Sequence, residues 1–271
     1  MQEQLVYPVY SRRSEGISVG IDLFPDAKHC SFDCPYCEVH PFFRAADFSA
    51  EQLRQELAAV LSRCAEAGES VRDIAIAGHG EPLLSPLFGA ALEAVIATKR
   101  TLMPELPVVL ITNALALGDD ARLDLLEAAA KNSEFHIWAK LDAGSAGLFY
   151  RMSGLAPETG AFEQVQTGIL KAGRRIPVIL QTMLACVEAY EPDERDFACY
   201  AELVRSLLGQ GARVERIDLY TVSRKPVSQR VHALEDGQML KAADRLASGI
   251  PELPVRVDRK STRLNSSHRI R

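Results

Sequence analysis

Cys30, Cys34 and Cys37 fall within one short run, His-Cys-Ser-Phe-Asp-Cys-Pro-Tyr-Cys from His29, and three clustered thiols can carry an iron–sulfur cubane. Soft thiolates bind iron, and a fourth iron without a cysteine keeps a coordination position open for substrate or cofactor. That chemistry is catalytic. Two other readings start from the same residues. His40 follows Cys37 closely enough to close a tetrahedral Cys3His zinc site, which would make the chain a binding module without catalysis. A disulfide framework is the third, but 6 Cys in 271 residues, without a recognisable secretory signal, fits a reducing, cytoplasmic compartment.

A second group of chemistry-bearing residues lies downstream. Gly78-His79-Gly80-Glu81-Pro82 follows an apolar run; its glycines allow close backbone approach, and its carboxylate suits a cationic ammonium. In the run from Phe135, period-two alternation puts His136, Trp138, Lys140 and Asp142 on one face and Ile137, Ala139 and Leu141 on the other. Lys140 and Asp142 would stand at the rim where barrel enzymes keep their catalytic groups, or form a buried ion pair that only orders the core. Asn113 ends another apolar run at the same rim. Gln181 with Met183, and Asp218 with Tyr220 before Arg224, could line a cavity there. Cys64 and Cys199 read as small core residues, and Cys186 falls on the functional rim.

The elements that must position these residues alternate between apolar runs and amphipathic segments, as in βα units around a parallel sheet. Strands are expected at Ile17 to Leu23, Val71 to Ala77, Pro107 to Thr112, Phe135 to Leu141, Ile176 to Leu184 and Val214 to Thr221, with another beginning at Leu253 to Val257. Ser49 with Gln52 predicts a capping box for a helix to Ala67, and Ser85-Pro86 predicts a cap followed by proline at the first helical position. Further helices are expected over Asp119 to Lys131, Ala161 to Ala172, Asp193 to Leu208 and Glu235 to Ala247.

The C-x3-C-x2-C spacing, with Tyr36 before the last cysteine, resembles the signature of the radical S-adenosylmethionine (SAM) superfamily, and Gly78 to Pro82 resembles its Gly-Gly-Glu-Pro segment, with His79 at the first glycine. Gly78 to Pro82, Ser11 to Leu23, Lys140 to Ala143 and Leu219 to Pro226 are together similar to the wyosine-synthetase-like branch, a resemblance that spans about Tyr7 to Ala247. The resemblance implies an α/β fold, a partial (β/α)6 barrel, and two cofactors, a [4Fe–4S] cluster and S-adenosylmethionine. It further implies that reductive cleavage of the latter gives a 5′-deoxyadenosyl radical that abstracts hydrogen from a substrate. Cys30, Cys34 and Cys37 would bind the cluster, Gly80 and Glu81 the methionine end, and Tyr36 would pack near the adenine. Asn113, Gln181 and Tyr220 would line the cofactor cavity, and Lys140 and Asp142 would face the ribose or substrate. An external one-electron donor, such as flavodoxin or ferredoxin, is implied as a partner.

Composition bounds the rest. With 47% hydrophobic and 25% charged residues the chain is ordinary for one globular domain, and it holds no apolar run of the roughly 18 residues that a membrane span needs. The segment Asp258 to His268 coincides with the translation of a common sequencing adapter, so one domain is expected over residues 1–257. Residues 258–271 are expected to form a disordered non-native tail, with the natural C-terminal part missing. Without that tail there are 26 basic and 35 acidic residues, a net charge of −9 in place of −5. A transfer-RNA modifier must neutralise phosphates, so the balance favours a small molecule or a protein side chain as substrate.

Overall fold

The computed structural model describes residues 5–11, 14, 16–44 and 46–258; the expected tail beyond Asp258 lies outside them. Ten strands and seven α-helices follow in order: β1 Val6–Ser11, β2 Gly16–Ile21, α1 Ala50–Glu66, β3 Val71–Ile76, α2 Phe88–Leu102, β4 Val108–Thr112, α3 Asp120–Asn132, β5 Phe135–Lys140, α4 Ala146–Ser153, α5 Ala161–Arg175, β6 Val178–Met183, β7 Ala185–Val187, α6 Glu194–Gly209, β8 Val214–Tyr220, β9 Val231–Ala233, α7 Asp236–Gly249 and β10 Val255–Val257. Eight strands form one sheet in the order β1-β2-β3-β4-β5-β6-β8-β10, parallel except for the β1–β2 pair. This is a partial βα barrel whose six expected strands are all present. Among the described residues no helix is long and apolar enough to cross a membrane.

Alternation along the strands sorts two layers. Ile137, Ala139 and Leu141 are fully buried toward the helices, where α1 contributes Leu53, Leu57, Val60 and Leu61 at helical spacing. The opposite face of the strands carries a small apolar plug, Val109, Trp138 and Ile179 with Ile111 beside it, and the polar residues of the site follow it toward the C-terminal ends. Cys64 is buried in the core as expected, and Cys199 is only partly covered.

Some expectations are corrected. Ser49 Oγ accepts from Gln52 N, but the Gln52 side chain turns forward to Glu56 Oε1 at 2.9 Å, so only half of the box forms. Complete boxes stand instead at Asp193 with Asp196 and at Glu235 with Gln238. Ser85 accepts from Leu87 N at 3.3 Å and shapes a turn, and the helix starts later, at Phe88. Three features were not foreseen: the antiparallel edge strand β1, the β7–β9 ribbon, and α4, which Ser145 caps and Gly154 ends in the left-handed conformation. Asp258 N donates to Leu219 O at 2.9 Å, so the first residue of the expected tail still continues the ladder of β10.

Candidate active site

The loop between β2 and α1 carries the three cysteines, and contacts from several directions hold it at the C-terminal ends of the strands. Asp22, just beyond β2, accepts from Phe24 N at 3.0 Å and His79 N at 3.1 Å and lies against the His79 ring nitrogen Nδ1. Gly78 makes room for it. With φ at +155°, this residue would push a Cβ to 2.5 Å from the Asp22 carboxylate. One residue pair further, His29 N donates to His79 O at 3.2 Å and Glu81 N donates to His29 O at 2.8 Å. A Cβ on Gly80 would lie 1.9 Å from that same carbonyl. Gly80 thus lets the segment after β3 approach the backbone beside Cys30 closely. On other sides, Asp33 N donates to Ser153 O at 2.9 Å against Gly154, and Val227 N donates to Cys37 O at 2.8 Å with Arg224 paired to Glu38.

Glu81 is 2% exposed. Its carboxylate accepts from Thr112 Oγ1 at 2.7 Å, Asn113 N at 2.6 Å and Leu83 N at 3.2 Å, which ties the ends of β3 and β4 together. Burial raises its pKa from 4.5 to about 6 against the pull of those donors. The folded state thus holds this proton more tightly than the unfolded chain, and the associated stability is lost as pH rises through 4.5 to 6. The span corresponds to about 2 kcal/mol. Urea midpoints of wild type and Glu81→Gln should accordingly diverge in the variant's favour by that order between pH 4.5 and 7; parallel curves would show that this carboxyl does not titrate as described. Asn113, 5% exposed, reaches back to the loop, donating from Nδ2 to Ser31 Oγ at 2.8 Å and to Cys30 Sγ at 3.8 Å.

Across the mouth, Tyr36, Lys140, Asp142 and Tyr220 form one network. Tyr36 donates its hydroxyl to Asp142 Oδ2, and Met183 N donates to Asp142 Oδ1 at 2.8 Å. Lys140 donates to the Tyr220 hydroxyl, stands 3.6 Å from Asp142, and lies 4.7 Å from the centroid of the Tyr36 ring. Burial disfavours its charge, but the Asp142 carboxylate and the groups of Tyr220 and Cys34 outweigh burial, and its pKa is raised. The Tyr36 phenol is held well above its ordinary pKa by burial and then by Asp142. Asp142 thus braces the cysteine loop against β6. Gln181, fully buried, lies between Lys140 and Asp218 in register, while Asp218 is engaged by Arg216 at 2.9 Å.

The donor set fits a cluster. Cys30 is exposed and Cys34 and Cys37 are partly buried, none of them in a disulfide; burial pushes the Cys34 thiol up to about 12 although Lys140 pulls it down, so ligation there must release a proton. His40 is exposed. Among the described residues no three His, Cys, Asp or Glu side chains converge on a single ion; the thiolates of a cubane ligate different irons and surround a volume. Reasoning from sequence missed Asp22 and Thr112, for which Gly78 opposite a strand-end aspartate and a β-branched hydroxyl next to Asn113 were the available signals.

No family model matches the chain. It is 25% identical over 241 residues to a GTPase Obg of Brachyspira hyodysenteriae, a match covering 87% of this chain but only 32% of that protein. It is 27% identical over 241 residues to a UPF0026 protein of Helicobacter pylori, covering 87% and 71%. Among solved structures, a radical SAM methyltransferase from Sphaerobacter thermophilus superposes with a TM-score of 0.62 at 14% identity over 90% of this chain and 66% of that one. Streptococcus suis SuiB bound to S-adenosylmethionine gives 0.60 at 15% identity over 85% and 48%, and archaeal TYW1 gives 0.52 at 14% over 86% and 72%. With the parallel sheet, its helices and the cysteine loop at the C-terminal rim, the fold of this chain is that of the radical SAM enzymes.

Proposed function

We propose that the protein is a radical SAM enzyme that holds a [4Fe–4S] cluster on Cys30, Cys34 and Cys37 and binds S-adenosylmethionine beside it. The observation that carries this reading is the joining of the thiol loop to the rim acid through the His29–Gly80 backbone pair and the Asn113 amide. Together the two cofactors supply one-electron cleavage of a carbon–sulfur bond and with it a radical able to take hydrogen from a substrate. The chain's own residues bind, orient and exclude water. Gly80 and Glu81 are assigned to the methionine end, Tyr36 to the adenine side, and Asn113, Gln181 and Tyr220 to the walls. Lys140 is a fixed cation toward ribose or substrate, held by Asp142.

The similarity of the four sequence segments supports a place beside the wyosine-synthetase-like branch. The net charge of −9 without residues 258–271 supports a small molecule or protein side chain over transfer RNA as substrate, and flavodoxin or ferredoxin would serve as the one-electron donor. Anaerobically purified protein should contain iron and acid-labile sulfide and, once reduced, should release 5′-deoxyadenosine and methionine from S-adenosylmethionine. A colourless protein with one zinc per chain and no sulfide would end the proposal.

A further inference from the structure

Four residues beyond Asp142 the chain leaves the rim and enters α4, and there it forms a separate recess of about 420 Å3 between the first turns of α4 and α6 and the turn after β7. Gly147 lies in its wall, and a Cβ built on Gly147 meets nothing within 4 Å, so the wall is open at that point. One helical turn further on, Arg151 stands on the same face of α4, its guanidinium 4.8 Å from the centroid of the Tyr190 ring. Arg195 comes from the first turn of α6 and makes no ion pair among the described residues.

The third wall is held in a costly conformation. Between Val187 and Tyr190 the chain reverses in two residues, Glu188 and Ala189, both left-handed with φ of +53° and +67°, where Asn-Gly is the usual choice. Neither residue is suited to that region, and such backbone persists only where its surroundings over-determine it. Here Val187 and Tyr190 exchange two backbone hydrogen bonds of 2.9 Å, and Glu188 is gripped by Arg230. The result is a Tyr190 ring fixed over the recess.

Charge decides what the recess takes. Its acid, Asp196, is 8% exposed, and one of its oxygens accepts both the Tyr190 hydroxyl at 2.7 Å and Asp193 N at 3.0 Å. Asp196 Oδ2 is engaged inside the protein, whereas two arginines line the cavity, Arg151 with a 3.8 Å contact to Glu188 beside its contact with the Tyr190 ring. We propose that this recess binds the anionic group of a small molecule, a carboxylate or a phosphate monoester, between Arg151 and Arg195. Both anions match the planar fork of a guanidinium.

The assignment needs neither cluster nor S-adenosylmethionine, so its failure and that of the enzyme reading are distinguishable. Calorimetric titration of the full chain with inorganic phosphate and, separately, with succinate, at constant ionic strength set by chloride, should give saturable binding of at least one and thereby identify the anion type. Arg195→Gln should weaken it at least tenfold by removing a donor fork. Gly147→Leu should do the same by filling the recess, with all charges kept and a side chain placed where space exists. Arg54→Gln on α1 should leave it unchanged. No saturable binding of either anion, or a loss smaller than tenfold in either of the first two variants, overturns the proposal.

Discussion

On the proposed function, Cys34→Ala should leave the anaerobically purified protein without a cluster and lower cleavage of S-adenosylmethionine by more than about a hundredfold, beyond the 10–100-fold typical of groups that only orient a ligand. The reason is the loss of a thiolate donor at a site where burial pushes the thiol up to about 12 against the pull of Lys140. The fold should tolerate the change, since a thiol removed from a partly buried site costs about 1 kcal/mol, so circular dichroism and the urea midpoint separate loss of ligation from loss of structure. His40→Ala is the companion experiment: His40 is exposed, and iron content should be unaffected, whereas a Cys3His site would lose its metal. Full cleavage activity in Cys34→Ala would falsify the cysteine assignment.

Gly80→Ala should be nearly as damaging although it removes no thiol. The new Cβ would lie 1.9 Å from the His29 carbonyl oxygen, which is backbone and cannot swing aside as a flexible side chain would. His29 and the segment after β3 must separate, breaking the pair His29 N to His79 O and Glu81 N to His29 O. We expect a loss of about 3 kcal/mol, at the upper end of the usual cost of overpacking, and a drop in iron occupancy with all three cysteines intact. Gly89→Ala in α2 is the control. There a Cβ meets Leu125 Cδ1 at an ordinary 3.5 Å, and a helical alanine should raise stability by a few tenths of a kcal/mol. If Gly80→Ala unfolds at the wild-type urea midpoint and loads iron normally, the backbone junction between the two loops does not position the site.

What the sequence determined by itself was local. The parallel strands are short apolar runs whose pattern follows from burial on the helix-facing side, and the helices between them carry periodic apolar faces with caps. The cysteine spacing is local too, because all three thiols sit in one loop. Elements without such a signal escaped. β1 is an edge strand interrupted by Pro8, which an edge tolerates, and α4 has 8 residues, too few for a periodic face to stand out.

The tertiary structure decided which groups meet. Tyr36 and Asp142 lie 106 residues apart and Lys140 and Tyr220 lie 80 apart, yet each pair is hydrogen-bonded. Likewise Glu81 finds its donors 31 and 32 residues away, at the end of the neighbouring strand. A carboxylate in a sequence announces a charge but not its partners, because burial and hydrogen bonding depend on where the chain returns. That is why the sequence shows Glu81 as a carboxylate and Asp142 as a strand-end acid beside Lys140, but not that Glu81 is buried among three donors or that Asp142 joins Tyr36 to Met183.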